Sequence, residues 1–544
     1  MATVEKFPKN EIKSDNPRFS QLKAIVESSF SMNNTSRITS IGEAYELAAA
    51  EPGTIVLDKE VENAAELGLP SDAKILVDNG GDVFARTAAA RRIFGDDPDL
   101  DKQIMKIAKQ VIYGNRYRQF YKTEVIVGLD EEFMVKAHLN APEEHVANLY
   151  SWMVNFQPFD AEYSKRYKQS KAYEENDIYV YFDPDFQHPD FPHGLAYFDV
   201  LHNTAIILGL QYFGEIKKGT LTLAWATAQR NNYVPCHGGV KLYKQADGSN
   251  FVSSFFGLSG SGKSTLTHAK HDNKYDIQVL HDDAFIINKD KKHSIALEPS
   301  YYDKTFDYAG DHPEQDYFVV VHNTGVTKDT EGKLAIQGDD LRNGNGRTVK
   351  SRYATSNRVD RIDEEIDAIF WIIKDDAFPP LVKINDPELA TTFGCTLMTK
   401  RSSAENIVSK PTTNLVIEPY ANPFRVYPLK DDYENFKELF ERGVDCYLVN
   451  TGDFMGKEIP KDVTLASIES VVERRNDFEA FGEYEDITYL PIEGFELPFA
   501  EEDYKNHIND RLQVRLDWLN DFNANEANVK LPEEGIEKIK TLMN

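Results

Sequence analysis

Cysteine is scarce in this chain: three residues among 544, Cys236, Cys395 and Cys446, with no CxxC spacing. That scarcity excludes a disulfide framework and a cysteine zinc site, and it suits a reducing compartment. Positive charge is also short, with 61 Lys and Arg against 89 Asp and Glu and a net charge of -28. A deficit of this size disfavours nucleic acid and anionic membrane as general partners, because phosphate surfaces need neutralising cations. Any anionic small molecule must therefore be met by a local basic cluster. No apolar run approaches the roughly 18 residues of a membrane span. The opening Met1-Ala2-Thr3-Val4-Glu5-Lys6 lacks the apolar core of a signal peptide. The expectation is a cytoplasmic protein without membrane or nucleic-acid partners, free of internal repeats and low-complexity tracts.

What the chain does have is length and apolar matter. At 544 residues it exceeds one ordinary core, and 41% apolar with 12% aromatic residues can furnish two lobes. The spacing of Leu22, Ile25 and Val26 predicts a helix over 16–30, and a second is expected over 43–50. Strands are expected at 54–57 and 74–77, more sheet within 122–139, and a strand at 178–182. The proline-rich segment 184–193 reads as a loop. Beyond it, strand-like runs at 206–210, 220–225, 251–256, 277–280, 318–322, 369–373 and 446–449 alternate with turns and helices. The polar, glycine-containing stretch 325–346 reads as a surface loop. A lobe boundary falls near 232.

The most specific signal is Gly257-Leu258-Ser259-Gly260-Ser261-Gly262-Lys263-Ser264, entered from the apolar run 250–256 and followed by Thr265-Leu266-Thr267-His268. Strand, glycine-rich turn and helix in this order form a phosphate-binding loop. Its backbone N–H groups converge on phosphate oxygens, Lys263 reaches the outer phosphates, and the Ser264 hydroxyl is placed for Mg²⁺. Downstream, Asp282-Asp283 closes the apolar stretch 277–280, where such proteins hold a hard cation on carboxylate oxygen. A nucleoside triphosphate is the expected ligand.

A second constellation precedes the loop. Tyr212-Phe213-Gly214-Glu215-Ile216-Lys217-Lys218-Gly219 is followed, nineteen residues after Lys218, by His237 in Pro235-Cys236-His237-Gly238-Gly239. With the loop and His281-Asp282-Asp283, this order resembles the ATP-dependent phosphoenolpyruvate carboxykinases, whose segments read like YxGEMKKG, MHCSAN, GLSGTGKTTL and GDDE. Further on, 369–380 looks like the family's IFLTADAFGVLPP, and 446–452 like its AYLVNTG. The likeness runs from about 195 to 470 and more weakly through the first lobe.

The resemblance implies an α/β, two-lobed fold around a deep cleft, with a mixed α/β substrate lobe over 1–232 and a mononucleotide-binding lobe with the phosphate loop over 233–544. It implies conversion of oxaloacetate and ATP to phosphoenolpyruvate, ADP and CO₂, with Mn²⁺ and Mg²⁺ as cofactors. Lys218, His237 and Asp283 would hold Mn²⁺, and Ser264, with Asp282 in the outer shell, would hold Mg²⁺. Lysine can act as a ligand only when burial and the metal's charge depress its ordinary pKa of about 10.4. Lys217 would stay charged and meet phosphate or carboxylate oxygens, and Lys263 would neutralise the transferred group. Substrate carboxylates call for arginine: Arg86 matches the family's TGRSPKDK arginine, a second is either Arg347 or Arg352, and Tyr212 matches the tyrosine beside CO₂. The nucleotide would touch Gly257 to Thr265 and Thr464, and residues 390–412 are the candidate lid.

The chain departs from the family pattern at three places. Ala88-Ala89-Ala90 stands for Pro-Lys-Asp, Gly238-Gly239 for small polar residues, and Lys457-Glu458-Ile459 for an arginine that packs on adenine. Two alternatives therefore stand beside the carboxykinase reading: a kinase of the same fold that phosphorylates a small hydroxy acid without decarboxylation, and a non-catalytic nucleotide-binding regulator.

Overall fold

The computed structural model describes residues 8–13, 19–80, 90–338, 346–400, 415–475 and 477–543. It is a mixed α/β structure whose described residues gather into two compact units. One holds those up to Asn231 together with those of Ile295–Ser356; the other holds Asn232–Ser294 and those from Asn357 onward. The single boundary read near 232 is thus a crossing after which the chain returns. Strand pairing explains the return. Phe318–His322 lies parallel to Lys74–Asp78, with Val320 beside Leu76 and His322 beside Asp78. Arg347–Lys350 then pairs antiparallel with Phe318–His322. Partners so distant in sequence leave no mark on local periodicity.

The first unit also contains a sheet built on the long antiparallel pair Phe120–Asp130 and Phe133–Pro142. Ile178–Asp183 runs parallel to the second of these, and Thr204–Leu208 runs parallel to Ile178–Asp183. Against this layer lies the helix Phe213–Arg230, buried along almost its whole length. Residues 220–225, expected as a strand, lie inside this helix. Their alternating threonines and large apolar residues imitate a strand, but a helix buried on every side has no amphipathic period to display. The threonine hydroxyls are satisfied locally: Thr220 Oγ1 donates to Ile216 O at 2.8 Å and Thr227 Oγ1 to Leu223 O at 2.9 Å.

Two other expectations shift. The N-terminal helix runs Gln21–Ser29, with the Ser20 hydroxyl accepting from Lys23 N as its cap. The stretch read as a loop from 325 contains a two-stranded ribbon, Val326–Lys328 with Leu334–Ile336, and Arg347 already opens a strand.

In the second unit three parallel strands form the centre: Asn250–Phe256, Ala368–Ile373 and Asp445–Asn450. Their residues are almost all buried, as expected for a sheet covered on both faces. Phe255, Phe370 and Tyr447 stack across the three strands, with centroids 5.2 and 5.1 Å apart. The opposite face packs Phe256, Trp371 and Phe436. Tyr233–Lys244 joins antiparallel to Asn250–Phe256 and also carries Asp276–His281 and Ala284–Asn288. Among the described residues no helix is long and apolar enough to cross a membrane.

Candidate active site

Parallel sheets present their functional residues where strands end in loops at the carboxyl edge. The three central strands end at Phe256, Ile373 and Asn450, and the next residues meet. The segment 257–262 leaves the first strand and enters the helix Lys263–His268. Gly260 and Gly262 adopt φ of 77° and 106°, which side-chain-bearing residues avoid. Lys374 Nζ donates to Gly260 O at 2.9 Å, and Thr451 Oγ1 donates to Ser261 O at 2.7 Å. The residues after the second and third strands therefore hold the carbonyls of the loop after the first. Ser264 and Thr265 remain exposed.

At the first residue of that helix, Lys263 Nζ lies 3.2 Å from Asp283 Oδ1 and 3.3 Å from His237 Nε2. His237 Nε2 and Asp283 Oδ1 are themselves 3.0 Å apart. His237 Nδ1–H donates to Ala421 O at 2.5 Å, so the lone pair is on Nε2, facing the carboxylate and the lysine. Two adjacent ligands of an octahedral cation with bonds of about 2.1 Å stand about 3 Å apart, which is the spacing of this pair. An imidazole nitrogen and a carboxylate oxygen so placed fit a borderline divalent ion. Asp283 is placed by the turn before it: His281 Nδ1 accepts from the backbone N–H of Asp283 at 3.0 Å and of Ala284 at 3.2 Å.

The neighbouring Asp282 is buried near Ser264, with His268 Nε2 3.7 Å from its Oδ2. Burial alone would raise its carboxyl; His268, His281 and Ser264 outweigh that and hold it well below the usual carboxylate range. It is thus an anion fixed beside an exposed hydroxyl, the arrangement a hydrated Mg²⁺ requires. Gly239 explains one departure from the family pattern. A Cβ there would stand 2.1 Å from Thr267 Oγ1, so the helix Lys263–His268 lies directly on the strand backbone. On the expected base side, Thr464 is buried on Lys461–Val472, whereas Lys457 Nζ turns to Gly494 O at 2.7 Å.

The first unit holds the other expected residues. Lys217 is wholly buried, with Nζ 2.9 Å from Glu298 Oε1, and Asn155 Nδ2 donates to the other oxygen at 2.7 Å. The carboxylate that Lys217 meets is thus the protein's own. Lys218, one helical step on, is half-buried with Nζ 5.7 Å from the Trp225 ring centroid. Tyr212 begins the helix and packs against the half-buried Tyr302, with ring centroids 6.3 Å apart. Burial, then Tyr212, raises the Tyr302 hydroxyl well above its ordinary range, while the charge of Arg347 acts the other way. Arg347 is buried on its strand, and its Nη1 donates to Gly346 O at 3.0 Å. Arg352 turns instead to Gln157 Oε1 and Tyr163 Oη, at 3.3 and 3.4 Å. Arg86 lies outside the described residues, as do positions 401–412 of the candidate lid.

Sequence reading missed Lys374, Thr451 and Glu298. The first two follow directly on apolar runs at the carboxyl edge of the sheet, a positional cue available from the strand assignments alone. Glu298 carries no local cue.

Comparison with known proteins gives a family match over residues 97–496, described as phosphoenolpyruvate carboxykinase. The phosphoenolpyruvate carboxykinase (ATP) of Aeropyrum pernix is 28% identical over 298 residues, covering 51% of this chain and 58% of that protein. Those of Brevibacillus brevis and Bacillus subtilis are 24% and 25% identical, covering 65% and 62% of this chain and 66% and 62% of theirs. The matched region thus spans between about half and two thirds of these relatives' length.

Proposed function

The chain belongs to the phosphoenolpyruvate carboxykinase family, and on that premise we propose that it interconverts oxaloacetate and ATP with phosphoenolpyruvate, ADP and CO₂. The observation that carries this reading is the close pair His237 and Asp283 on Lys263, beside an exposed Ser264 and an ionised Asp282. A protein that only sensed a nucleotide would need the second of these groups but not the first.

We assign the nucleotide to the second unit. The loop amides of 257–262 cradle its phosphates, and Lys263 neutralises charge on the group in transfer. Asp282 orients the Ser264 hydroxyl toward Mg²⁺, and His237 and Asp283 supply two donors for Mn²⁺. Bound divalent cations would stabilise the negative charge that develops on the enolate oxygen and on the transferred phosphoryl group. We assign the acid to the first unit, on the motif order. On that order Arg86 and Tyr212 contact the acid, and Lys217 acts by holding Glu298 and the start of the helix in place. Of the two candidate arginines we choose Arg347, because its charge acts on Tyr302, whose ring also touches Tyr212 and lies 5.6 Å from Lys217 Nζ. Arg352 is engaged elsewhere.

The test is fixation of labelled bicarbonate with phosphoenolpyruvate, ADP, Mn²⁺ and Mg²⁺, trapping oxaloacetate as malate. Label in malate is the expected result. ATP turnover on hydroxy acids without fixation would replace the carboxykinase by the kinase reading, and nucleotide binding without turnover would leave only the regulator.

A further inference from the structure

The turn after the phosphate-loop helix places three consecutive residues, His271, Asp272 and Asn273, at φ of 50°, 52° and 61°. None is glycine, and such a conformation costs an ordinary residue on the order of 1–2 kcal/mol. Asp and Asn tolerate it comparatively well; His271 is held in it. Its Nε2 accepts from Lys241 Nζ at 3.3 Å, and its Nδ1–H donates to Glu469 Oε1 at 2.9 Å.

Lys241 is fully buried, and its ammonium also donates to Leu266 O and Ala269 O, each at 2.8 Å. These carbonyls close the helix Lys263–His268, where a helix leaves its acceptors without internal partners. Three N–H groups thus meet three acceptors, with the Tyr243 ring centroid 4.9 Å from Nζ. The same strand, Tyr233–Lys244, carries His237 four residues earlier, against Lys263 at the other end of the helix. One strand therefore holds both ends of the helix, and Gly239 lets Thr267 rest on it. Through His271 the hold extends to Glu469, on the helix Lys461–Val472 that also carries Thr464.

We propose that Lys241 is a positioning residue for nucleotide binding, setting Lys263 and Ser264 in register with the helix that carries Thr464. This rests on the assignment of the nucleotide to this unit. A residue that only stabilised the fold would lower the melting temperature and leave the affinity of the folded protein unchanged.

The experiment titrates the full-length protein with a fluorescent N-methylanthraniloyl ATP in Mg²⁺, with circular dichroism and thermal melting on the same samples. Lys241→Met should weaken binding about tenfold and Glu469→Ala, which removes the acceptor of His271, about threefold, the range for a lost buried hydrogen bond. Leu512→Ala, which removes core volume from the helix Glu502–Ala524, should lower the melting temperature and keep the wild-type affinity. Affinities of Lys241→Met and Glu469→Ala within about twofold of wild type, well under a lost hydrogen bond, overturn the proposal. If Lys241→Met does not fold, Glu469→Ala decides by the same criterion. A wild-type protein that binds no MgATP overturns the nucleotide assignment itself, and this proposal with it.

Discussion

His237 Nε2 and Asp283 Oδ1 face each other at 3.0 Å, with the Lys263 ammonium within 3.3 Å of both. Two lone-pair donors at this distance repel unless a cation lies against them, so the pair is built for positive charge. Replacing either, as His237→Ala or Asp283→Asn, should weaken Mn²⁺ binding at least about 10–100-fold, the loss typical even of outer-shell partners. Electron paramagnetic resonance titration of free Mn²⁺ measures it; unchanged affinity in both variants would remove the pair from the metal site.

On the proposed function Lys263 has a second task, at the phosphates. Lys263→Met should lower kcat about a thousandfold or more, the scale for removing a group that stabilises developing charge. Steady-state rates in the carboxylating direction check this, and retention of a tenth of the activity contradicts it.

Gly239→Ala should destabilise the protein by about 1–3 kcal/mol, the usual cost of an added methyl in a closed space. The added Cβ meets Thr267 Oγ1 at 2.1 Å, so the double variant with Thr267→Ala should recover part of the loss. Urea denaturation of the single and double variants measures the coupling.

The pair Lys217 and Glu298 is wholly removed from water, with both side chains 0% exposed. Removing one partner leaves a buried charge uncompensated, so Lys217→Met should cost about 3–5 kcal/mol. Lys217→Met with Glu298→Gln should be milder than the single change. Thermal melting separates the two outcomes, and a double variant as unstable as the single would place the cost elsewhere.

His322 stacks on Phe213 at 5.1 Å, and its Nε2 shares a hydrogen bond with Ser151 Oγ at 3.0 Å. Burial holds its imidazole down to about 4, from an ordinary 6.5. Above pH 6.5 it is neutral in both folded and unfolded chains, and its contribution to stability is complete. As the pH falls from 6.5 toward 4 the unfolded chain takes up a proton that the folded one refuses, and about 3 kcal/mol is lost. His322→Gln should flatten the stability profile between pH 7 and 5; an unaltered slope in urea titrations at those pH values contradicts this.

Local features of this chain were readable and tertiary ones were not. The glycine-rich turn 257–262 and the His281-Asp282-Asp283 turn were legible because their residues are contiguous and their conformations are dictated by glycine and by one imidazole. The helix through Thr220 and Trp225 was misread, since full burial erases the period that distinguishes helix from strand. The partner of Lys217 was invisible for another reason: Glu298 reaches it only after the chain has left the first unit and returned. Gly238-Gly239, a departure from the family in sequence, is a packing requirement in structure, because Thr267 and Phe255 O occupy the space a side chain would need.

Lys374 and Thr451 hold the outward carbonyls of Gly260 and Ser261. Peptide planes pinned in this way do not turn over: the N–H of Ser261 is itself held by Leu258 O at 3.0 Å, and that of Gly262 keeps its direction, so on the proposed nucleotide assignment this part of the loop is set before a phosphate arrives. Association then freezes little that was moving, and its entropic penalty is correspondingly small. Affinity among phosphate-bearing ligands should accordingly differ through the rate at which they leave rather than the rate at which they enter.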